Sequence, residues 1–316
     1  MTKNPKVSII IPVYNGSNYL KEAIDSALNQ TYANVEVIVV NDGSNDNGKT
    51  ENIAKCYSDK IKYFYKENGG VASALNFGIS VMEGEYFSWL SHDDIYKSFK
   101  IEKQLDYLNN LILKDVILYS NYEIIDENSK LIKKKVIKQG HPERIKVDLI
   151  LDYPINGCTV LLPKKCFNKV GLFNEGLITT QDYDMWYRLS RKYEYFYIPE
   201  VLVSSRIHPN QNTNLINDIH RQEVNDFYIN TLNKITEKEV IDSGIKSIRL
   251  FYLNAAINLK RRFFQKSSEY SFYLANSKSD KNNFKYLMKI TIYFLNFYFV
   301  NKVFNFIKRK FFNNFF

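Results

Sequence analysis

Residues 7–15 have the sequence Val-Ser-Ile-Ile-Ile-Pro-Val-Tyr-Asn, and this stretch decides the class of fold. Its run of apolar, mostly β-branched residues from Val7 to Val13 predicts a strand that is buried on both faces. Ser17 is placed to cap a following helix, in which apolar residues recur at helical spacing between Leu20 and Leu28. A fully buried strand that leads at once into an amphipathic helix is typical of an α/β protein.

The same alternation continues up to residue 94. The predicted strands are Val35–Val40, Ile61–Tyr65 and Tyr86–Leu90, and the predicted helices are Thr50–Tyr57 and Val71–Met82. This order predicts a mostly parallel sheet with helices on both faces. Ligands bind such sheets beyond the C-terminal ends of the strands. A polar cluster follows every predicted strand, namely Tyr14-Asn15, Asn41–Ser44, Asn68–Gly70 and Ser91–Asp94.

The pattern changes after residue 95. We predict a helix over Lys97–Leu111, then a hairpin of Val116–Glu123 and Leu131–Ile137 around the turn Asp126–Ser129. Further predictions are a strand over Cys158–Leu162, a helix over Tyr183–Arg191, a strand over Phe196–Val203 and helices from Asn217 onward. We therefore expect an α/β domain in residues 1–212 and a helical region in residues 213–316.

The net charge of +9 is concentrated near the C-terminus. Residues 251–316 hold 12 Lys or Arg and 2 Asp or Glu, whereas the first 250 residues hold 31 basic and 32 acidic residues. A nucleic-acid-binding protein would carry basic charge on its folded body, so we expect no nucleic-acid partner. The absence of GxGxxG after the first strand argues against a dinucleotide-binding oxidoreductase.

The three cysteines, Cys56, Cys158 and Cys166, show no metal-binding spacing, and the sequence shows no signal peptide. Isolated thiols fit a reducing compartment. We therefore expect a cytoplasmic location.

Ser91-His92-Asp93-Asp94 follows a predicted buried strand. Adjacent carboxylates repel each other unless a cation or a helix terminus neutralises them. A divalent ion that also contacts a diphosphate would do so, and oxygen ligands suit magnesium or manganese. The alternative is that both acids are ordinary residues of the first turn of the next helix.

Three other polar residues have both a structural and a functional interpretation. Asp42 is either an Asx-turn residue or a ligand contact after the second strand. Asp182 is either the N-cap of a helix or a general base. His208, on a loop after a strand, is either structural or a ligand.

Taken together and in order, the motifs resemble those of glycosyltransferase family 2, over about residues 5–212. They are Ile-Pro-Val-Tyr-Asn (11–15), Asn-Asp-Gly-Ser (41–44), Glu-Asn-Gly-Gly (67–70), Asn76, Leu-Ser-His-Asp-Asp (90–94), Val-Gly-Leu-Phe-Asn-Glu (170–175), Gln-Asp-Tyr-Asp-Met-Trp (181–186) and Arg-Ile-His-Pro (206–209).

The resemblance implies a GT-A fold and an inverting transfer of a sugar from a nucleoside-diphosphate donor, usually a UDP-sugar. It implies that Asp182 is the catalytic base and that a manganese or magnesium ion is held by Asp93 and His208. The nucleotide-sugar would be bound by Pro12, Val13, Tyr14, Asn15, Asp42, Asn68, Asn76, Asp93 and Asp94. Asn156, Gly157 and Trp186 would lie on the acceptor side.

The chain departs from the family pattern at three positions. Ser91 replaces the first acid of the DXD motif, Gln181 replaces the acid that usually precedes the base, and Leu75 stands where an arginine is often found. These departures bear on metal affinity and donor identity more than on the class of reaction.

We expect the acceptor to be a hydroxyl of a glycan or lipid-linked glycan in surface polysaccharide synthesis. The chain lacks Gln-x-x-Arg-Trp and multiple membrane spans, so we expect non-processive transfer. The alternative is a catalytically inactive nucleotide-sugar-binding subunit of a glycan assembly complex, suggested by Ser91 and Gln181.

The segment from Tyr286 to Phe316 is aromatic and basic, and its longest uncharged stretch, Ile290–Asn301, is shorter than the roughly 20 residues of a membrane span. We expect a peripheral contact with the inner face of the cytoplasmic membrane. The alternative is a surface for helix packing or for a homo-oligomer.

Overall fold

The N-terminal apolar run forms the central strand of the larger of two sheets. The computed structural model describes residues 4–137, 142–209, 211 and 217–277. Within these residues the strands are β1 (Val7–Val13), β2 (Val35–Asp42), β3 (Lys62–Lys66), β4 (Tyr86–Trp89), β5 (Ile95–Tyr96), β6 (Ile117–Ile125), β7 (Leu131–Lys135), β8 (Leu162–Pro163) and β9 (Tyr195–Arg206).

The larger sheet has the strand order β3-β2-β1-β4-β8. Strands β3, β2, β1 and β4 are parallel, as the sequence predicts, and β8 is antiparallel to β4. The register places Val13 opposite Asn41 and Ile10 opposite Trp89. The loops that follow β1, β2 and β4 therefore leave the sheet at the same edge.

The smaller sheet has the order β5-β9-β6-β7. Strand β5 runs antiparallel to β9, with Ile95 opposite Ser204. Strands β6 and β7 form the predicted hairpin, and β6 runs parallel to β9. Because β5 starts one residue after Asp94 and β9 ends at Arg206, their pairing brings two distant parts of the sequence together.

The helices of the described residues follow the predicted alternation. They are α1 (Leu20–Leu28), α2 (Lys49–Lys55), α3 (Gly70–Val81), α4 (Lys100–Asn109), α5 (Ile145–Leu151), α6 (Cys166–Val170), α7 (Gln181–Ser190), α8 (Asn217–Lys234), α9 (Glu237–Asp242), α10 (Ile248–Arg261) and α11 (Gln265–Ser277). Short 3-10 helices cover Ser58–Lys60, Pro142–Arg144 and Gly157–Thr159.

Helices cover both faces of the larger sheet. Helix α1 buries Leu20 and Ile24 in the same apolar cluster as Ile9 and Ile11. Ile10 points to the opposite face, where Gly78 of α3 packs so tightly that a Cβ atom there would lie 2.5 Å from Ile10 Cγ2. Burial of each Ile or Leu side chain contributes about 1.5–3 kcal/mol to the free energy of folding. The packing of helices on both faces of the sheet therefore holds in place the loops at its edge.

Two local predictions are wrong. Ser17 does not cap α1, because the chain first makes a turn in which Tyr19 N and Leu20 N both donate to Gly16 O, and the N-cap residue is Tyr19. Most of Cys158–Leu162 is not a strand. Asn156 accepts hydrogen bonds from Cys158 N and, through its backbone oxygen, from Thr159, and these local bonds favour a 3-10 turn over sheet pairing.

The chain divides into two compact units, Met1–Lys246 and Ser247–Phe316. Helices α8 and α9 belong to the first unit, whereas the sequence suggested a boundary near residue 212, which stays a prediction. In the second unit, Ser247 caps α10, and serine hydroxyls of α11 donate to backbone oxygens of α10, from Ser268 to Ala256 and from Ser271 to Tyr252.

No helix in the described ranges is long and apolar enough to cross a lipid bilayer. The aromatic and basic segment Tyr286–Phe316, to which we assign membrane contact, lies outside the described residues.

Candidate active site

The loop after β1 is bonded to the loop after β2 and to the start of α2 at the carboxyl edge of the larger sheet. Asn15 N donates to Ser44 Oγ at 2.8 Å, and Gly16 N donates to Thr50 Oγ1 at 3.0 Å. Pro12 and Val13 are buried at the end of β1, and Tyr14 is exposed beyond them. Pro12 to Asn15, four of the nine residues assigned to the nucleotide-sugar, therefore lie at the end of the central strand and in the loop after it.

Asp42 is buried at the end of β2 and binds the start of α3. Its carboxylate accepts hydrogen bonds from Gly69 N at 3.0 Å and Gly70 N at 2.7 Å, and from Lys66 Nζ at 2.8 Å. A carboxylate at this place satisfies free N–H groups and the positive end of the helix dipole. Asn68 Nδ2 donates to the backbone oxygen of Asp42 at 2.9 Å. The predicted contact between Asp42 and a nucleobase stays a prediction.

Lys66 is a member of this cluster that the sequence pattern did not predict. It lies opposite Asp42 in the register of β2 and β3. Its position at the C-terminal end of a parallel strand, the edge where ligands bind, was the available signal.

Asn76 is buried in α3 and joins it to the loop before α7. Its side chain donates to Phe173 O and to Glu175 Oε1, and its Oδ1 accepts from Phe173 N. All three bonds go to residues about a hundred positions away. The structure thus places Asn76 as a support for the loop around residues 173–175, and its predicted contact with the donor stays a prediction.

Asp93 and His208 are brought into contact by the pairing of β5 with β9. His208 Nε2 lies 3.1 Å from Asp93 Oδ2, and their side chains are only 7% and 14% exposed. Burial disfavours the charged form of Asp93, but the hydrogen bond with His208 and the neighbouring His92 outweigh burial, and the pKa of Asp93 is lowered. Asp93 is therefore ionised at neutral pH.

Asp94 has a different environment from its neighbour. It is buried, and its Oδ1 accepts the backbone N–H of Arg206 at 2.8 Å. Burial, followed by the adjacent negative charge of Asp93, raises the pKa of Asp94. Asp93 therefore ionises at a lower pH than Asp94, and Asp94 holds the backbone N–H of Arg206 at the end of β9.

Arg206 is a fully buried residue of the Arg-Ile-His-Pro motif for which the sequence pattern predicted no role. Its Nε donates to Asp93 O at 2.9 Å and its Nη2 to Glu22 Oε2 at 2.9 Å. Its Nη1 bonds to Ser129 Oγ of the β6–β7 turn, and its guanidinium lies 4.2 Å from the ring centre of Tyr19. A charged residue two positions before the candidate ligand His208 was the signal in the sequence. Arg206 joins α1, the hairpin and the Asp93 turn.

The residues at this point fit a divalent metal ion. One carboxylate oxygen and one imidazole nitrogen form a donor set that manganese accepts. His208 Nε2 and Asp93 Oδ2 lie 3.1 Å apart, so the two side chains would hold the same ion. No group of three or more His, Cys, Asp or Glu able to hold a metal occurs among the described residues.

Asp182 is the second residue of α7. The N-cap is Thr180, so the structure excludes the N-cap interpretation of Asp182. Its Oδ1 accepts the N–H of Tyr183 at 2.9 Å. Burial raises the pKa of Asp182 to about 6, and this hydrogen bond only partly opposes the shift. A carboxylate with a pKa near the working pH can accept a proton from a substrate hydroxyl and release it again.

The three residues assigned to the acceptor side lie in different environments. Trp186 of α7 is fully buried and packs edge-on against Phe173. Gly157 packs against Trp89, since a Cβ atom there would lie 2.6 Å from the indole ring. Asn156 is half-buried and its Nδ2 donates to Ser205 Oγ at 3.3 Å. Their predicted contact with an acceptor stays a prediction, and Trp186 is placed to act through packing.

Sequence comparison identifies a matching protein family and several relatives. A family model described as glycosyl transferase family 2 matches residues 8–171. An uncharacterized glycosyltransferase of Rickettsia typhi is 45% identical over 318 residues, which cover 98% of both chains. Another, of Rickettsia felis, is 51% identical over 240 residues, and the chain spans only 40% of the length of that protein.

Solved structures share the fold. The crystal structure of S. aureus TarS in complex with UDP matches with a TM-score of 0.58 at 19% identity, over 89% of this chain and 76% of that one. A mannosyltransferase from Pyrobaculum calidifontis, in complex with GDP-Man and Mn²⁺, matches with a TM-score of 0.57 at 14% identity, over 88% of this chain and 77% of that one. At these identities the likeness shows the fold, which is GT-A. The chain belongs to glycosyltransferase family 2.

Proposed function

We propose that this protein is an inverting glycosyltransferase that transfers a hexosyl or N-acetylhexosaminyl group from a UDP-sugar to a hydroxyl of a glycan or lipid-linked glycan. The observation that carries the proposal is the buried contact of 3.1 Å between Asp93 and His208 at the carboxyl edge of the parallel sheet. In a member of this family, such a pair of ligands at the edge where substrates bind supports a metal-assisted transfer from a nucleoside diphosphate.

A divalent ion bound to Asp93 and His208 would supply positive charge for the oxygens of the leaving diphosphate. The role of the protein in this step is to hold Asp93 and His208 in position. Arg206 fixes the backbone oxygen of Asp93, and Asp94 fixes the backbone N–H of Arg206. This rigid frame limits the reorganisation that charge development would otherwise require.

Asp182 is the base in the proposed reaction. The acceptor oxygen attacks the anomeric carbon from the face opposite the diphosphate, and its proton passes to the Asp182 carboxylate. The bond from the anomeric carbon to the diphosphate oxygen breaks, and its electron pair stays on the diphosphate. One such displacement inverts the configuration at the anomeric carbon.

The choice of a UDP-sugar rests on the family resemblance of the motifs around Tyr14 and Asp42, and solved neighbours hold UDP and UDP-GlcNAc. A mannosyltransferase neighbour holds GDP-Man instead, so the test must compare nucleotides. We assign catalysis to residues 1–212 and non-processive action to the chain, since it lacks the Gln-x-x-Arg-Trp motif.

The experiment is a screen of UDP-, GDP- and dTDP-sugars with Mn²⁺ or Mg²⁺, in which release of the nucleoside diphosphate is measured. The proposal expects metal-dependent release from a UDP-sugar. Tight binding of a nucleotide-sugar without release or transfer would instead support the inactive subunit. Failure to bind any nucleotide-sugar would reject both functions.

We also propose that the basic, aromatic C-terminal segment attaches the enzyme to the inner face of the cytoplasmic membrane, where lipid-linked acceptors are found. Its composition supports this proposal. Removal of residues 284–316 should abolish co-sedimentation with vesicles that contain anionic lipid. Unchanged co-sedimentation would count against it.

A further inference from the structure

Tyr153 has a backbone conformation that its residue type disfavours. It follows α5, and its N–H donates to Asp148 O at 2.9 Å in the bond that closes the end of that helix. Its φ angle is +45°, in the left-handed region that glycine normally fills at this place after a helix. A tyrosine there costs free energy, and such strained residues cluster at functional sites.

The ring of Tyr153 is held next to the start of α7. It stacks on the ring of Tyr183, with the ring centres 3.7 Å apart and the planes within 10° of each other. Tyr183 in turn packs edge-on against Phe227 and Tyr228 of α8. The Tyr153 side chain is therefore fixed beside the residue that follows Asp182.

The hydroxyl of Tyr153 is buried and makes no hydrogen bond of ordinary length to the described residues. Buried hydroxyls without a partner are rare because the lost hydration is not replaced. Tyr153 nevertheless lowers the pKa of Asp182, in opposition to burial. Burial, followed by the charge of Asp182, raises the pKa of Tyr153.

Other groups also influence the pKa values of Asp182 and Tyr153. The pKa of Asp182 is set by burial, by the backbone N–H groups of Tyr183 and Asp182 and by Tyr153. The titratable groups that influence Tyr153 besides Asp182 are Tyr183, Tyr195 and Tyr228. Among the described residues, no cationic side chain contributes to the shift of Asp182, which leaves Tyr153 as the side chain able to stabilise its charge.

We propose that Tyr153 is a positioning residue whose hydroxyl donates a hydrogen bond to the ionised Asp182 carboxylate and holds it in the orientation that receives the acceptor proton. The backbone after α5 is strained because the Tyr153 side chain must reach the start of α7. The stack on Tyr183 sets the ring, and the hydroxyl remains without another partner so that it can turn to Asp182. The inference rests on the role proposed for Asp182 as the base.

The test is Tyr153→Phe, which removes the hydroxyl and keeps the ring and its stack. The carboxyl of Asp182 is followed by ¹³C NMR of aspartate-labelled protein, and its signal is assigned by its loss in Asp182→Asn. The titration midpoint of Asp182 should rise by about one pH unit, because a hydrogen bond to a charged group is worth roughly tenfold in its ionisation constant. The kcat should fall about twofold at pH 7 and about tenfold near pH 5, because the acid limb of the pH profile moves upward by about one unit, and the KM for the donor should stay unchanged.

Tyr197→Phe is the matched control, because the Tyr197 hydroxyl bonds to Asn121 in the smaller sheet and should leave the midpoint unchanged. A midpoint that does not move in Tyr153→Phe, or a variant that loses thermal stability with an unchanged pH profile, would overturn the proposal. A wild type without turnover on any nucleotide-sugar would instead reject the proposed function. The NMR midpoint would still decide whether Tyr153 acts on Asp182.

Discussion

His208 Nε2 lies 3.1 Å from Asp93 Oδ2, although 115 residues separate them in the sequence. The contact follows from the pairing of β5 with β9, in which Ile95 lies opposite Ser204. Ile95 is two residues after Asp93, and Ser204 is four residues before His208. Both side chains are largely buried, and in the proposed reaction this carboxylate and imidazole would hold a cation together with the diphosphate of the donor.

Metal removal is the first prediction from this contact. Treatment with EDTA should abolish nucleotide-sugar turnover, and Mn²⁺ should restore it. Asp93→Asn and His208→Ala should each lower kcat/KM by about 100-fold or more, because the ion contributes several kcal/mol to stabilisation of the leaving group. Asp106→Asn, at an exposed position of α4, serves as the control. Full activity in EDTA, with no ion retained in elemental analysis, would contradict the metal role.

The second prediction concerns Asp182. Asp182→Asn keeps the shape of the side chain but cannot take a proton, so turnover should fall by about 10² to 10⁴. Donor affinity, measured by calorimetry, should stay within about twofold, because the base acts on the acceptor. Asp184→Asn, two residues along the same helix and paired with Arg188, should behave as wild type. Wild-type turnover in Asp182→Asn would remove Asp182 from the mechanism.

The third prediction is the pH dependence of turnover. Burial raises the pKa of Asp182 to about 6, and the base acts only when ionised. The rate should therefore rise about tenfold per pH unit below that value and level off above it. The measurement is kcat between about pH 4.5 and 8 at saturating Mn²⁺, since protonation of His208 also weakens metal binding. A rate that is constant down to the lower limit would show that the acting base has an ordinary carboxyl pKa.

The sequence predicted the parallel sheet well because its strands are continuous apolar runs with polar ends. Val7–Val13 is a strand with the predicted bounds, and the edge that the polar clusters mark is the edge where the candidate site lies. The hairpin around Asp126 was also predictable, since a turn cluster separates its two strands.

The assembly of the site was harder to predict. The pairing that brings Asp93 to His208 uses β5, a strand of only two residues, and such a short element has no periodicity to detect. The fully buried Arg206 could not be recognised from composition, because charged residues are rarely buried unless they are paired. Tyr153 carried no signal at all, since its left-handed backbone and its stack on Tyr183 depend on how α5 and α7 pack.

The last prediction concerns Arg206, whose guanidinium is fully buried and bonds to Asp93 O, Glu22 and the β6–β7 turn. Arg206→Lys keeps the charge but not the planar set of donors, so several buried acceptors lose their partners. The free energy of unfolding in urea should fall by about 3 kcal/mol. The Mn²⁺ concentration for half-maximal activity should rise because the Asp93 turn is no longer fixed. Arg221→Lys, at an exposed position of α8, should change neither quantity. A destabilised Arg206→Lys with an unaltered Mn²⁺ requirement would show that Arg206 supports the fold and not the metal site.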